Sequence, residues 1–171
     1  RGQKLLEENR LFLHQLNQDD FKVVEEPNAM SSRERCWIQV EKTLETNPAP
    51  YVEKTALKEE MDSWTFPLHF IDFETSAVAL PLNKGRHPYE QVAFQFSHHM
   101  CHADGTIEHA SEYINANPGE FPNFKFVAAL KKSLDNDQGT IFRFATHENS
   151  ILNAIKDQLN DSDYPEKDEL I

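Results

Sequence analysis

The chain has 171 residues, 39% of them hydrophobic, and carries 29 Asp and Glu against 17 Lys and Arg, a formal net charge of −12. That length fits one domain, or one domain with an extension, and the apolar fraction suffices for a packed core. The charge excludes broad, charge-driven binding to duplex DNA, which needs a basic face, but not a nuclease, because bound cations reverse the local potential. Cys36 and Cys101 lie far apart and form no disulfide framework, which points to a reducing, cytoplasmic setting. No apolar run approaches membrane-spanning length and no signal peptide is visible, so no membrane partner is expected. Ten of the twelve phenylalanines follow residue 65, which places the expected core in the later two-thirds. The chain opens on Arg1 and stops in an acidic stretch, so it reads as a piece of a longer polypeptide.

Residues 1–66 read as a helical N-terminal extension. Leu5, Leu6, Phe12, Leu13 and Leu16 recur at near-helical spacing over Gln3–Leu16. Ser31-Ser32 caps a second helix with Trp37, Val40 and Leu44 as its apolar stripe. The segment Asn47-Pro48-Ala49-Pro50 ends that helix, and a third, short one runs from Thr55 to about Asp62. Trp37 and Trp64 are packing residues of this helical part. Pro67 then marks a change of period, and residues 67–171 form the second region.

The first strand runs from Leu68 to about Glu74. After a loop to about Glu90, Val92, Phe94 and Phe96 alternate with Ala93, Gln95 and Ser97, a strand signature. Asp104-Gly105 is a strong hairpin turn, and a third strand returns over Thr106–Tyr113. Asn123 is placed to cap a helix bearing Phe124, Val127, Leu130 and Leu134. A fourth strand covers Thr140–Ala145, and a last helix carries Ile151, Leu152, Ile155 and Leu159. Three antiparallel strands followed by helix, strand and helix predict an α/β fold, a mixed sheet flanked by helices.

The most informative stretch is Leu68-His69-Phe70-Ile71-Asp72-Phe73-Glu74-Thr75. It reads as a buried strand, and alternation puts Asp72 and Glu74 on one face, roughly 6–7 Å apart. Burying two like charges side by side is costly unless a cation neutralises them. Glu148 follows the fourth strand, where a helix begins. It serves the helix N-terminus, or it completes a carboxylate trio able to hold Mg²⁺ or Mn²⁺ through oxygen ligands.

The segment Phe70-Ile71-Asp72-Phe73-Glu74-Thr75 resembles the first motif of the ribonuclease H-like 3′–5′ exonucleases of the DEDD type. A nearer resemblance is to a bacterial family catalogued as a domain of unknown function with an exonuclease-like core. Gly85-Arg86-His87-Pro88-Tyr89-Glu90-Gln91 and Phe94-Gln95-Phe96-Ser97 resemble that family's other signatures. The likeness covers about residues 66–160. It implies a ribonuclease H-like fold, incomplete at the C-terminus, with Asp72, Glu74 and Glu148 as catalytic, metal-binding acids for two ions. Glu148 stands where most such enzymes have Asp. No residue fits the third-motif Asp or its general base, and both are expected beyond Ile171. The implied chemistry is two-metal hydrolysis of single-stranded DNA or RNA.

Around that centre, Thr75, Arg86, His87 and Tyr89 are candidates for holding the substrate strand, with Tyr89 stacking on a base. Gln95 and His147 are candidates for supporting the ligands from behind. His98 and His102 share a strand face about 13 Å apart, too far for one zinc ion. Two further functions compete. One is a nuclease-fold module without turnover that binds nucleic acid or a protein. The other is a metal-dependent hydrolase of small phosphoesters.

Overall fold

The structure, a computed structural model, describes residues 2–24 and 30–171. The part of the helical extension at residues 25–29 lies outside the described residues. The chain divides into two compact units, Arg1–Ser63 and Trp64–Ile171.

The first unit contains α1 (Gly2–Glu7), a 3₁₀ turn (Leu13–Gln15), α2 (Gln18–Phe21), α3 (Ser32–Leu44) and α4 (Lys54–Asp62). The helix predicted over Gln3–Leu16 is therefore broken. Asn9 takes a left-handed conformation (φ 54°), and Arg10 N donates to Leu5 O while Asn9 N donates to Leu6 O. This pair of bonds closes the helix end and satisfies its last carbonyls. α3 begins where expected, the Ser31 hydroxyl accepting from Glu34 N at 3.1 Å. It ends in the same way as α1, with Thr46 at φ 53°. Of the predicted stripe, Val40 is buried and Leu44 is exposed.

The second unit is a four-stranded mixed sheet with helices. It contains β1 (Leu68–Ser76), β2 (Val92–Cys101), β3 (Ile107–Ile114), α5 (Asn123–Leu134), β4 (Thr140–Arg143), α6 (His147–Asn160) and α7 (Lys167–Leu170). The strand order is β3-β2-β1-β4, with β1–β2 and β2–β3 antiparallel and β1–β4 parallel. Trp64 and Thr65 belong to this unit. Thr140 N donates to Thr65 O at 2.8 Å and Thr65 N to the Thr140 hydroxyl at 2.9 Å, clamping the start of β4. Asp104-Gly105 makes the predicted β2–β3 turn, with Gly105 at φ 84° and Asp104 Oδ1 accepting from Thr106 N at 2.9 Å. That bond holds the Asp104 carboxyl below its usual range.

The core lies on one face of the sheet. Ile71 and Phe73 of β1 and Ala93 and Phe96 of β2 meet Phe126 and Leu130 of α5 and Ile151, Ile155 and Leu159 of α6. Phe126 is its centre: it stands edge-on to Phe73 (5.0 Å between ring centroids), Phe96 (5.6 Å) and Tyr113 (6.1 Å), a favourable geometry for ring quadrupoles. Asn123 is not the cap its sequence position suggests. It is fully buried in the first turn of α5. Its Oδ1 accepts from Ala93 N at 2.8 Å, and its Nδ2 donates to Gln91 O at 2.9 Å and to Gln158 Oε1 at 2.6 Å. The side chain ties β2, α5 and α6 together.

Candidate functional site

Alternation along β1 turns His69, Ile71 and Phe73 away from solvent and leaves Phe70, Asp72 and Glu74 exposed, while Leu68, at the strand start, is also buried. The expectation of a buried strand with buried acids is therefore corrected at Asp72 and Glu74. The helices cover one face, and the acids stand on the other, where water offsets their repulsion. The ladder places Asp72 opposite Ser97 and Glu74 opposite Gln95. Beyond that pair the register slips, because Phe94 is an extra residue on β2. Such a bulge ends regular pairing beside the acidic pair. Among the described residues neither Asp72 nor Glu74 is ion-paired.

The first turn of α6 docks at the end of β1, where His147 Nε2 and the Thr75 hydroxyl are hydrogen-bonded at 3.0 Å. Glu148 follows. It is buried, on the same helix stripe as Ile151, Ile155 and Leu159, and its Oε2 has no hydrogen-bond partner among the described residues. Burying a carboxylate oxygen without a partner is costly. The stripe turns Glu148 inward, whereas strand alternation turns Asp72 and Glu74 outward. Among the described residues no three His, Cys, Asp or Glu side chains gather as a metal-binding group, so the convergence expected of these acids is absent from this arrangement.

The loop between β1 and β2 holds the other candidates. The Arg86 guanidinium pairs with Glu90 at 3.1 Å and lies 3.7 Å over the centre of the Phe121 ring, so it packs the loop onto the segment leading into α5. His87 donates its backbone N–H to Glu90 Oε2 at 2.9 Å. Tyr89 (φ 60°) has its backbone N–H bonded to Val78 O at 2.8 Å and its side chain exposed. Of this group only the side chains of His87 and Tyr89 remain available to a ligand.

Next to the acidic pair, the exposed sheet face carries an aromatic row. Trp64 stands edge-on to Phe142 (4.8 Å), which stacks on Phe70 (5.2 Å, 16° between planes). Phe70 in turn pairs with His99 of β2, and His99 with His109 of β3. Only Phe70 and His99 have alternation to mark them, because the row is assembled from four separate segments.

A second polar feature lies under the sheet. Asp137 Oδ1 meets His69 Nε2 at 2.9 Å, His69 Nδ1 meets His98 Nε2 at 2.9 Å, and His98 Nδ1 meets the Ser111 hydroxyl at 3.0 Å. The sequence offers only the hint of two histidines inside strands. Their separation of 29 residues hides the contact.

The fold and site define an α/β domain with a four-stranded mixed sheet, helices over one face and an acidic pair on the other. The chain belongs to the family described as Domain of unknown function (DUF2779), which matches residues 69–170. The match starts one residue into β1 and ends with α7, so it covers the sheet and its helices. No curated protein and no solved structure matches the chain. Among the described residues no helix is long and apolar enough to cross a membrane.

Proposed function

We propose that the second unit is a ribonuclease H-like, metal-dependent nuclease, a 3′–5′ exonuclease acting on single-stranded DNA or RNA. The observation that carries the reading is the orphaned, buried carboxylate oxygen of Glu148, held one residue from the His147–Thr75 contact and so close to the end of the strand that bears Asp72 and Glu74. Two unpaired acids side by side, and a third with an unmet oxygen, are oxygen donors of the kind that suit Mg²⁺ or Mn²⁺. The strand order β3-β2-β1-β4, with β4 parallel to β1, supports the fold assignment.

Asp72 and Glu74 would hold the cation from the open face, and Glu148, buried on the helix side, would have to turn outward to join them. A bound cation of this class lowers the pKa of a water nucleophile and stabilises a leaving oxygen. Thr75 fixes His147 beside the acids, and Gln95, opposite Glu74, offers an amide to a phosphate or a ligand. The rings of Phe70 and Phe142 give a base a stacking surface next to the acids.

The test is shortening of an end-labelled single-stranded oligonucleotide with Mg²⁺ or Mn²⁺. Loss of shortening in EDTA and in Asp72→Ala is expected. Unchanged activity in Asp72→Ala overturns the site. Thermal melts give an independent readout: Mg²⁺ raises the Tm of the unmodified chain and has little effect on Glu148→Gln. A second reading, a nuclease-fold module that binds without turnover, is favoured by the separation of Glu148 from the acidic pair. It predicts oligonucleotide binding that persists in EDTA and in Asp72→Ala.

A further inference from the structure

The chain Asp137–His69–His98–Ser111 is built from the loop after α5, then β1, β2 and β3 in turn. His69 and His98 are 2% and 1% exposed, so water cannot replace a lost partner. The loop is shaped around the first ring. A Cβ on Gly139 would meet the Pro67 carbonyl oxygen and stand 2.6 Å from His69 Nε2, so only glycine lets the loop approach this closely. Gly139 N also donates to Asp137 Oδ1 at 2.7 Å, aiming that carboxylate at His69.

The chemistry of the groups fixes the direction of every bond. A carboxylate only accepts, so His69 Nε2 carries a proton. In neutral His69 the other nitrogen, Nδ1, is then an acceptor, and His98 Nε2 must donate to it. His98 Nδ1 is in turn an acceptor, and the Ser111 hydroxyl donates. One added proton is accommodated by reversing two bonds. His69 then donates from both nitrogens, and His98, now protonated at Nδ1 alone, donates to the Ser111 oxygen. The Asp137 carboxylate balances the charge. A second added proton has no such solution, because His69 Nδ1 and His98 Nε2 become two donors facing each other at 2.9 Å.

We propose that this relay is an acid-sensitive latch. It holds the α5–β4 loop to β1 and the β3 edge strand to β2 while it carries no more than one added proton, and it releases both on taking a second. The surroundings act in the same sense. His99 beside it on β2 and His109 on β3 oppose a charge on His98, and Asp137 alone favours one. Lys132 of α5 and Glu112 of β3 line the groove outside Ser111. Burial, the largest cause, followed by His69, lowers the pKa of His98 below 6.5. The unfolded chain therefore binds a proton at a higher pH than the folded one. The stability this histidine contributes is complete above that value and is lost as pH falls towards the folded pKa. Asp137 is held below the usual carboxylate range by its bond from Gly139 N and then by His69, so it titrates in a separate, lower window.

The test is amide hydrogen exchange of the whole chain between about pH 7.5 and pH 5, corrected for intrinsic chemistry, with nitrogen NMR of the imidazoles. At the upper pH both rings are expected as Nε2–H tautomers. Below about pH 6, exchange at Gly139 and Ser111 is expected to rise by up to about tenfold per pH unit, the linkage slope for one proton. Ile155, in the α6 core, does not follow. His98→Leu removes the pH dependence. Asp137→Asn keeps the acceptor but removes the balancing charge, and it moves the transition to higher pH even if His98→Leu fails to fold. Imidazolium in both rings at the upper pH, with the loop and β3 still protected, overturns the proposal. So does acid exchange that is the same at Gly139, Ser111 and Ile155, or the same in the folded variants as in the unmodified chain.

Discussion

The two units differ in what they bury. Among the described residues of the first unit, Val40 is the one buried apolar side chain, while Leu6, Leu11, Phe12, Leu13, Leu57 and Met61 are exposed. In the second unit ten apolar side chains are buried, and Phe126 is surrounded by three other rings. Helical periodicity alone does not make a core. The first unit is held by local devices: the Ser31 cap, the Asn17–Asp20 capping box and the Arg10–Asp20 pair. The second is held by contacts between residues far apart in sequence, and its candidate sites are there. Local opening is expected to follow the same division.

The strongest way to break this comparison is Phe126→Ala. It is expected to destabilise the second unit by about 3–5 kcal/mol, read by denaturant unfolding. A loss no larger than that of a surface change would show that the aromatic centre is not the core. Asn123→Ala comes next, at about 2 kcal/mol, because it leaves Ala93 N buried without its partner. In the first unit the largest comparable change, Val40→Ala, removes two methyl groups and is expected to cost about 1.5 kcal/mol.

Tyr113→Phe sharpens the comparison in the other direction. The Tyr113 hydroxyl is buried without a partner among the described residues, and its removal is expected to stabilise the second unit by about 1 kcal/mol. A loss of stability would reveal an acceptor for it. The smallest effect is expected at an exposed apolar position of the first unit: Leu6→Ser should stay within about 0.5 kcal/mol. A larger loss there would mean that this stripe is covered.

Local patterns in the sequence were reliable guides where the physics is local. Asp104-Gly105 makes its turn because only a few residue types tolerate φ > 0, and Ser31 caps α3 because its hydroxyl reaches an adjacent backbone N–H. The alternation around Asp72 and Glu74 correctly put both acids on one face. It did not say which face the helices would cover, and the surrounding aromatics pointed to a buried strand. Asn123 looked like a cap for the same local reason as Ser31, yet its three partners come from residues 91, 93 and 158.

The sequence by itself therefore determined the four strands and the two longer helices of the second unit, its β2–β3 turn and the shared face of the acidic pair, since each depends on neighbours within a few residues, but not α7. Tertiary structure decided the rest. It left Asp72 and Glu74 exposed, sent Glu148 inward without a partner for one oxygen, packed Arg86 onto Phe121 and joined His69 to His98 and Asp137. Those outcomes depend on which face of the sheet the helices cover and on pairings across dozens of residues, and periodicity along one chain carries neither.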